Sequence, residues 1–249
     1  MEKSLFNRLK KISDKYFWGQ HPEAALRYLP VVSEIKRAGL GDAKILEVGS
    51  GSLGITPYLE RPIDGLDVDF SGESSPFINK IKGSAEKLPF RKNSYEVVIS
   101  IDVLEHIKDE ARPKAIYEML RVASRLVVIV VPVGKMSERQ DIELDRHFRE
   151  TLGIENQFLN EHLKFGLPAT DEVLVTIDKS LRQLGKKAKV KSYPNLNLII
   201  RNILMRTWIT KSKIIYYLYL KGYLLLIPIL RLASFGNCYR RVFVIELIQ

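Results

Sequence analysis

The chain has 249 residues, of which 46% are apolar and 27% are charged. This length and composition can bury a core, which excludes a disulfide-stapled miniprotein and a disordered tail. The formal net charge is +10, and residues 180–249 carry 13 Lys or Arg against a single acid, Glu246. That basic segment can face the phosphates of a nucleic acid, an anionic lipid surface or an acidic substrate.

The compartment is suggested by cysteine usage and by the N-terminus. A single cysteine, Cys238, excludes an intrachain disulfide. The run Met1–Gly19 alternates charged and apolar residues and lacks the continuous apolar core of a secretory signal. We therefore expect a cytoplasmic protein, with peripheral contact to a membrane left open.

Two helices are predicted before the first strand. Apolar residues at three- and four-residue spacing between Leu5 and Phe17 alternate with lysines, which is typical of an amphipathic helix with a basic face. Such a helix can cover a pocket, lie on a membrane or pack on its own domain. A second helix is expected from Pro22 to about Ala38, ended by the region Gly39–Gly41.

Short apolar runs then predict strands. They are Ile45–Val48, Ile63–Val68, Asn79–Lys82, Tyr95–Ile101 and Leu126–Val131. The run from Val127 to Val131 is apolar on both faces of a strand, as in a parallel sheet covered by helices on both sides. The predicted fold class is α/β, with a doubly wound sheet that binds ligands beyond the carboxyl ends of its strands.

Further elements are expected toward the C-terminus. Asp171–Gly185 reads as a helix with Thr170 as its N-cap. A strand is expected at about Ala188–Tyr193 and a last strand at Arg241–Leu247. Between these strands, at about 195–236, lies a basic and apolar helical insert that a minimal α/β domain does not need.

A glycine-rich loop follows the first predicted strand. Gly49–Gly54 has the spacing G-x-G-x-x-G, and Asp67 stands 18 residues after Gly49, as in a dinucleotide site. This motif alone would suggest an NAD-dependent oxidoreductase. Glu47, two positions before the first glycine, would however repel a pyrophosphate and would suit a ligand with an ammonium and a sulfonium group.

The chain resembles class I S-adenosylmethionine-dependent methyltransferases from about Ile45 to Pro132. The matching segments, in family order, are Ile45–Gly51, Ile63–Asp67, Gly83–Phe90 with Asn93–Val98, Asp102–Ile107 and Val130–Pro132. The resemblance implies a mostly parallel, seven-stranded Rossmann-like sheet and S-adenosyl-L-methionine as cofactor. The chain departs from the family pattern at three positions. The family often has its third loop glycine where Leu53 stands, and here that glycine comes one residue later, as Gly54. Ser84 stands in place of an acid, and Glu96 in place of an Asp.

The resemblance also implies roles for individual residues. Glu47, Gly49 and Gly51 would line the methionine and ribose part of the cofactor. Asp67 would accept hydrogen bonds from the ribose hydroxyls, with Asp69 as the alternative if the strand ends later. The other implied cofactor-binding residues are Ser50 and Val68, Ala85 and Glu86 at the adenine edge, and Ile101 and Asp102 beside the sulfonium.

His147 is the candidate catalytic base. It follows the fifth strand between Asp145 and Glu150, and an imidazole can take a hydroxyl proton near neutral pH. Methyl transfer depends mostly on in-line positioning, so a base is not obligatory. His106 is expected to pack or cap. No metal site is predicted, because His21, His106, His147 and His162 are scattered and lack ligand spacing.

The insert bears on the acceptor. Ile214–Leu230 has 17 residues, short of the about 20 that span a bilayer. It can form an acceptor pocket, meet lipid headgroups or be an ordinary buried insert. A groove formed by Lys186–Lys191 and Arg201–Lys213 with Tyr193 and Trp208 would instead suit RNA, but a Leu- and Ile-rich run stacks bases poorly.

The sequence thus predicts one methyltransferase-like domain over 1–249, with N-terminal helices at 1–42, a cofactor half at 43–135 and an acceptor half at 136–249. The expected activity is O-methylation of a small-molecule or lipid-like acceptor. The alternatives are an RNA methyltransferase and a non-catalytic, membrane-associated scaffold that binds the cofactor. Contact with nucleic acid is less favoured than peripheral contact with a membrane.

Overall fold

The computed structural model describes residues 19–248. The amphipathic helix predicted between Leu5 and Phe17 lies outside the described residues. Seven strands form one sheet: β1 (Ile45–Val48), β2 (Ile63–Asp67), β3 (Ile78–Lys82), β4 (Tyr95–Ile101), β5 (Ala123–Pro132), β6 (Lys187–Asn197) and β7 (Cys238–Ile248).

The strand order is β3-β2-β1-β4-β5-β7-β6. The pairs from β3 to β5 are parallel, and β7 runs antiparallel to both of its neighbours. The predicted fold class, a mostly parallel seven-stranded Rossmann-like sheet, is confirmed. Because β1 to β4 are parallel, their carboxyl ends meet at one edge of the sheet, where ligands of this fold class bind.

The sheet is buried because its central strands are apolar on both faces. In β5, Val127 and Ile129 pack into a core with Ile116 and Ile177 from helices of one layer. Alternate residues of the same strand, such as Val128, pack on the first helix at the opposite face. This period-two alternation between two cores explains why the strand sequence has no polar face.

Helices cover both faces of the sheet. They are α1 (Pro22–Arg37), α2 (Thr56–Leu59), α3 (Arg112–Val122), α4 (Gly134–Leu152), α5 (Gln157–Phe165), α6 (Thr170–Leu184), α7 (Leu198–Trp208), α8 (Lys213–Tyr217), α9 (Tyr223–Leu225) and α10 (Ile227–Leu230). Two short 3₁₀ turns, Leu104–His106 and Asp109–Ala111, follow β4, and a π-helical turn, Leu218–Gly222, links α8 to α9.

Two local predictions need correction. The N-cap of α6 is Ala169 rather than Thr170, and the Glu172 carboxylate accepts a hydrogen bond from the Ala169 amide. Strand β6 extends to Asn197 although it contains Pro194, because β6 is an edge strand and tolerates a residue without an amide hydrogen.

The insert between β6 and β7 is helical, as predicted, but begins only after Asn197. Its inner face packs on α1 in one apolar cluster that includes Leu26, Leu204, Tyr219, Leu224 and Ile227. Among residues 19–248, no helix is long and apolar enough to cross a membrane.

Candidate functional site

The glycine loop has one crowded and one open position. Gly49 has φ +77°, and a Cβ there would lie 2.1 Å from Cγ2 of Val103. Gly51 has φ +53°, and no atom lies within 4 Å of the place where its Cβ would be. Gly49 is therefore required by the Val103 side chain, whereas Gly51 leaves room for a ligand to approach the backbone.

Glu47 supports this loop from beneath. Its side chain is buried, and its Oε2 accepts a hydrogen bond of 2.7 Å from the Ile55 amide. Burial raises the pKa of Glu47 to about 8, although the Ile55 amide and the Tyr28 hydroxyl favour the ionised form. This raised pKa favours the protonated form at neutral pH. The contact of Glu47 with the ammonium group of the cofactor stays a prediction.

Asp67 ends β2 and points at the loop. Its Oδ2 accepts a hydrogen bond of 2.7 Å from the Gly51 amide, and its Oδ1 accepts one of 3.1 Å from the Asp69 amide. Because β2 ends at Asp67, the condition for using Asp69 instead is not met. Val68 is 64% exposed and follows Asp67 at the rim.

The loop after β3 lies beside Asp67. The Gly83 amide donates to the main-chain oxygen of Asp67 over 3.0 Å. Ser84 Oγ accepts a hydrogen bond of 3.2 Å from the Glu86 amide, and Ala85 is buried. Ser84 thus shapes the turn, and its hydroxyl is partly used within it.

These residues fit S-adenosylmethionine. Gly51 offers open space, Asp67 keeps carboxylate lone pairs beyond the two amides it accepts, and the Ser84–Glu86 turn lies next to Asp67. All of them stand at the carboxyl edge of β1, β2 and β3. Gly51 and the Ser50 backbone would hold the methionine part, Asp67 the ribose and Ala85–Glu86 the adenine edge. The individual contacts stay predictions.

Asp102 is committed to an ion-pair network. It follows Ile101 at the end of β4 with φ +54°, and its carboxylate accepts from Arg27 Nη1 at 2.8 Å and from Arg240 Nε at 2.7 Å. Arg240 also contacts Glu23. Burial would raise the pKa of Asp102, but the Arg240 and Arg27 guanidiniums outweigh it and hold that pKa well below its usual range. The carboxylate that we expected beside the sulfonium thus serves first to join α1, β4 and β7.

Two of the supposedly scattered histidines lie together. The ring centroids of His106 and His162 are 4.8 Å apart, although 55 residues separate them in the chain. His162 Nδ1 lies 2.9 Å from Asp141 Oδ2, and Asp141 also accepts from Arg201 and Tyr239. The expectation of isolated histidines is wrong for this pair, because the packing of α5 against the turn after β4 cannot be read from spacing.

His147 has a different setting. It lies on α4, half-buried, and its Nδ1 is 3.4 Å from Thr151 Oγ1 one turn later. The buried face of α4 presents Asp141 and Asp145 instead. A catalytic role for His147 stays a prediction.

The chain is similar to a family model and to several solved structures. Residues 46–131, about a third of the chain, match the family model described as a methyltransferase domain. No curated protein matches the chain significantly. A solved S-adenosylmethionine-dependent methyltransferase from Thermotoga maritima, described as a possible histamine N-methyltransferase, is 14% identical with a TM-score of 0.52. That alignment covers 97% of this chain and 96% of the other.

A protein from Anabaena variabilis, described as a methyltransferase from an antibiotic biosynthesis pathway, has the same fold. It is 15% identical with a TM-score of 0.52, and the alignment covers 88% of this chain and 98% of the other. At these identities the likeness shows the fold. Residues 46–131 match a methyltransferase domain, and the chain shares the fold of a solved S-adenosylmethionine-dependent methyltransferase, which agrees with the class that the sequence predicts.

Proposed function

We propose that this enzyme methylates an oxygen of an amphiphilic, lipid-like acceptor at an anionic lipid surface. The observation that carries the proposal is the outer face of the insert. While its inner face packs on α1, its outer face exposes large apolar side chains: Ile199, Ile214, Leu218, Leu225, Ile229, Leu232 and Phe235. Ile214 is 74% exposed and Leu232 76%. Many large apolar side chains exposed within one insert are typical of an interaction site.

Part of the basic charge that faces outward borders this surface. Several cations of the C-terminal segment are used inside the protein: Arg201 pairs with Asp141, and Arg240 with Asp102. Lys186 Nζ donates to the main-chain oxygens of Leu120 and Ala123. By contrast, exposed Lys211, Lys213 and Arg231 border the apolar face. Apolar side chains bordered by cations suit the headgroup boundary of an anionic membrane.

The same segment forms a groove. Nine residues between Thr210 and Leu220 line an open groove of about 820 Å³, with Ile214, Leu218 and Leu220 among its walls. An apolar groove beside exposed lysines can hold an acyl or prenyl chain while an anionic group stays at the rim. The insert is also tied to the acceptor side of the sheet, because Arg201 of α7 reaches Asp141 of α4 at 2.7 Å.

The chemistry follows from the class. When bound, S-adenosylmethionine supplies a methyl group made electrophilic by its sulfonium. The residues of this chain hold and orient: Gly51 and Asp67 fix the cofactor end, and the insert places the acceptor. Because in-line positioning supplies most of the rate of such a transfer, His147 would add to the reaction as a base without being obligatory.

RNA is the less favoured acceptor. The Trp208 ring packs on Phe148 with 5.7 Å between centroids, and the Tyr193 hydroxyl donates to Glu34 over 3.0 Å. Neither ring is free as a base-stacking platform. The exposed side chains of the insert are Leu and Ile rather than aromatic residues in the main, which favours lipid.

Vesicle flotation tests the surface. We expect the protein to bind vesicles that contain anionic phosphatidylglycerol more tightly than vesicles of phosphatidylcholine alone, with binding weakened by salt. Leu225→Glu and Leu232→Glu should each reduce binding at least tenfold. Val175→Glu is the matched control, since Val175 is 51% exposed on α6 and should leave binding unchanged.

Label transfer tests the acceptor. The enzyme is incubated with methyl-labelled S-adenosylmethionine and with separated lipid, RNA and small-molecule fractions. Label in the lipid fraction supports the proposal; release of the label as methanol in alkali would identify a methyl ester, and stability in alkali is expected of a methyl ether. Label in RNA would overturn it, and cofactor binding without label in any fraction would point to a non-catalytic scaffold.

A further inference from the structure

Three potential ligand side chains converge beside the end of β4. Glu105 and His106 lie in the 3₁₀ turn Leu104–His106, and His162 lies on α5. One ligand atom from each lies within 4.8 Å of the other two. Ligand atoms on a tetrahedral ion with bonds of about 2.1 Å are roughly 3.4 Å apart, so movements of about 1 Å bring the three groups onto one ion.

Glu105 has no partner of its own. Its side chain is fully buried, and neither carboxylate oxygen has a hydrogen bond within the described residues 19–248. Burying a carboxylate without a hydrogen bond costs several kcal/mol. A cation at Glu105 would remove this penalty.

Each of the two histidines has its Nδ1 atom next to a carboxylate. His162 Nδ1 lies 2.9 Å from Asp141 Oδ2, and His106 Nδ1 lies 2.7 Å from Glu161 Oε2. Arg201 contacts the other oxygen of Asp141 at 2.7 Å. In each histidine, Nδ1 is therefore the nitrogen that faces a carboxylate, and Nε2 lies on the other side of the ring.

His162 Nε2 is buried and has no hydrogen bond within the described residues. An imidazole that donates Nδ1–H to a carboxylate and presents Nε2 is the arrangement that orients histidine ligands in metal sites. Together with the unpartnered Glu105 oxygens, this buried nitrogen is a second, independent sign that a ligand belongs at the cluster.

We propose that Glu105, His106 and His162 bind a divalent first-row transition-metal ion, with Zn²⁺ or Mn²⁺ as the best candidates. Two imidazoles and one carboxylate favour such ions over Ca²⁺, which takes six to eight oxygen ligands. Three protein ligands leave at least one coordination position open, as in catalytic rather than structural sites.

The open position gives the ion a role, and this step rests on the O-methylation proposed above. A hydroxyl of the acceptor binds there, and the ion lowers the pKa of that hydroxyl. Its proton passes to solvent, the oxygen lone pair forms the bond to the methyl carbon, and the C–S electron pair returns to sulfur. The products are the methyl ether or ester and neutral S-adenosylhomocysteine.

Co²⁺ titration tests the site without any turnover. The chelator-treated full chain should bind about one Co²⁺ and develop visible d–d absorption, and Zn²⁺ should displace it. Glu105→Gln and His162→Ala should each weaken Co²⁺ binding at least 100-fold. His147→Ala is the matched control and should keep both the spectrum and the affinity. Unchanged affinity in the first two variants, or no visible band in the parent protein, would overturn the proposal.

Thermal unfolding separates a metal site from a purely structural cluster. In chelator, Glu105→Gln should change Tm little, because the amide has nearly the size of the carboxyl group and is buried in the same place. In Zn²⁺, the parent protein should gain Tm and the variant should not. If Glu105→Gln lowers Tm equally with and without Zn²⁺, the cluster is structural and the proposal is wrong.

Three measurements on the same samples distinguish the two proposals: Co²⁺ binding, label transfer to lipid and binding of S-adenosylhomocysteine. Metal binding with no label transfer would overturn the proposed acceptor chemistry alone. Lipid methylation that is equally fast in chelator, with no Co²⁺ spectrum, would overturn the metal site alone.

Discussion

The Arg240 guanidinium donates hydrogen bonds to both oxygens of the Asp102 carboxylate, with Nε 2.7 Å from Oδ1 and Nη2 2.6 Å from Oδ2. Arg240 comes from β7, the antiparallel strand, and Asp102 follows β4, two positions away in the sheet. Arg27 of α1 contacts the same carboxylate at 2.8 Å. One buried anion therefore links the last strand, the first described helix and the cofactor edge.

Removing Arg240 should destabilise the fold strongly. Arg240→Met leaves Asp102 with Arg27 alone, and breaking a buried ion pair costs about 3–5 kcal/mol. We expect a loss of about 3 kcal/mol in the free energy of unfolding by urea. Arg241→Met is the control, since Arg241 is half-buried and contacts Ser192 Oγ at 3.1 Å, and should cost under about 1 kcal/mol. Equal costs for both variants would contradict this assignment.

The sheet could be predicted because burial on both faces leaves a mark in the sequence. Strands β1 and β4 have the predicted bounds, and Asp67 could be placed because an acid after an apolar run marks a strand end. The extension of β6 through Pro194 could not, since the edge position that permits the proline is known only from the strand order.

The polar clusters could not be predicted for a different reason. Asp102 and Arg240 are 138 residues apart, and no local pattern encodes which cation will reach a given acid. The sequence did mark Glu105 and His106, as part of a family motif, but His162 joins them only through the packing of α5. His147 drew attention because carboxylates stand near it in sequence, whereas the buried face of α4 presents Asp141.

The two loop glycines should respond differently to alanine. Gly49→Ala combines a positive φ with overlap at Val103, so we expect a loss of at least about 3 kcal/mol in the free energy of unfolding. In Gly51→Ala the new Cβ contacts nothing, so we expect the free energy of unfolding to fall by about 1 kcal/mol because of the positive φ alone. Val103→Ala should recover part of the Gly49→Ala loss. Additive effects of Val103→Ala and Gly49→Ala would show that the two side chains do not meet.

Asp67 should dominate cofactor affinity. Two charge-assisted hydrogen bonds to ribose hydroxyls are worth about 1.5–3 kcal/mol each, so Asp67→Ala should weaken S-adenosylhomocysteine binding at least tenfold by calorimetry. Asp69→Ala is the matched control, because Asp69 is exposed and lies beyond the end of β2. The affinity of Asp69→Ala should stay within about twofold of the parent value. A larger loss of affinity in Asp69→Ala than in Asp67→Ala would assign the ribose contact to Asp69.

The protonation of Glu47 should appear as a pH dependence of stability. Burial raises its pKa in the folded protein to about 8 from an ordinary 4.5. Between these values the folded state holds a proton that the unfolded state has lost, so the stability from this group is complete below about pH 4.5. It falls by about 1.4 kcal/mol per pH unit as pH rises toward 8.

Glu47→Gln removes that titration while retaining an oxygen for the Ile55 amide. In urea unfolding measured from pH 5 to pH 9, the free energy of unfolding of the parent protein should therefore decline relative to that of the variant, by several kcal/mol over the range. Glu143→Gln, at an exposed position on α4, is the control and should run parallel to the parent. If the parent and Glu47→Gln also run parallel, Glu47 is ionised at neutral pH. The attraction of a cofactor ammonium group would then again be available to it.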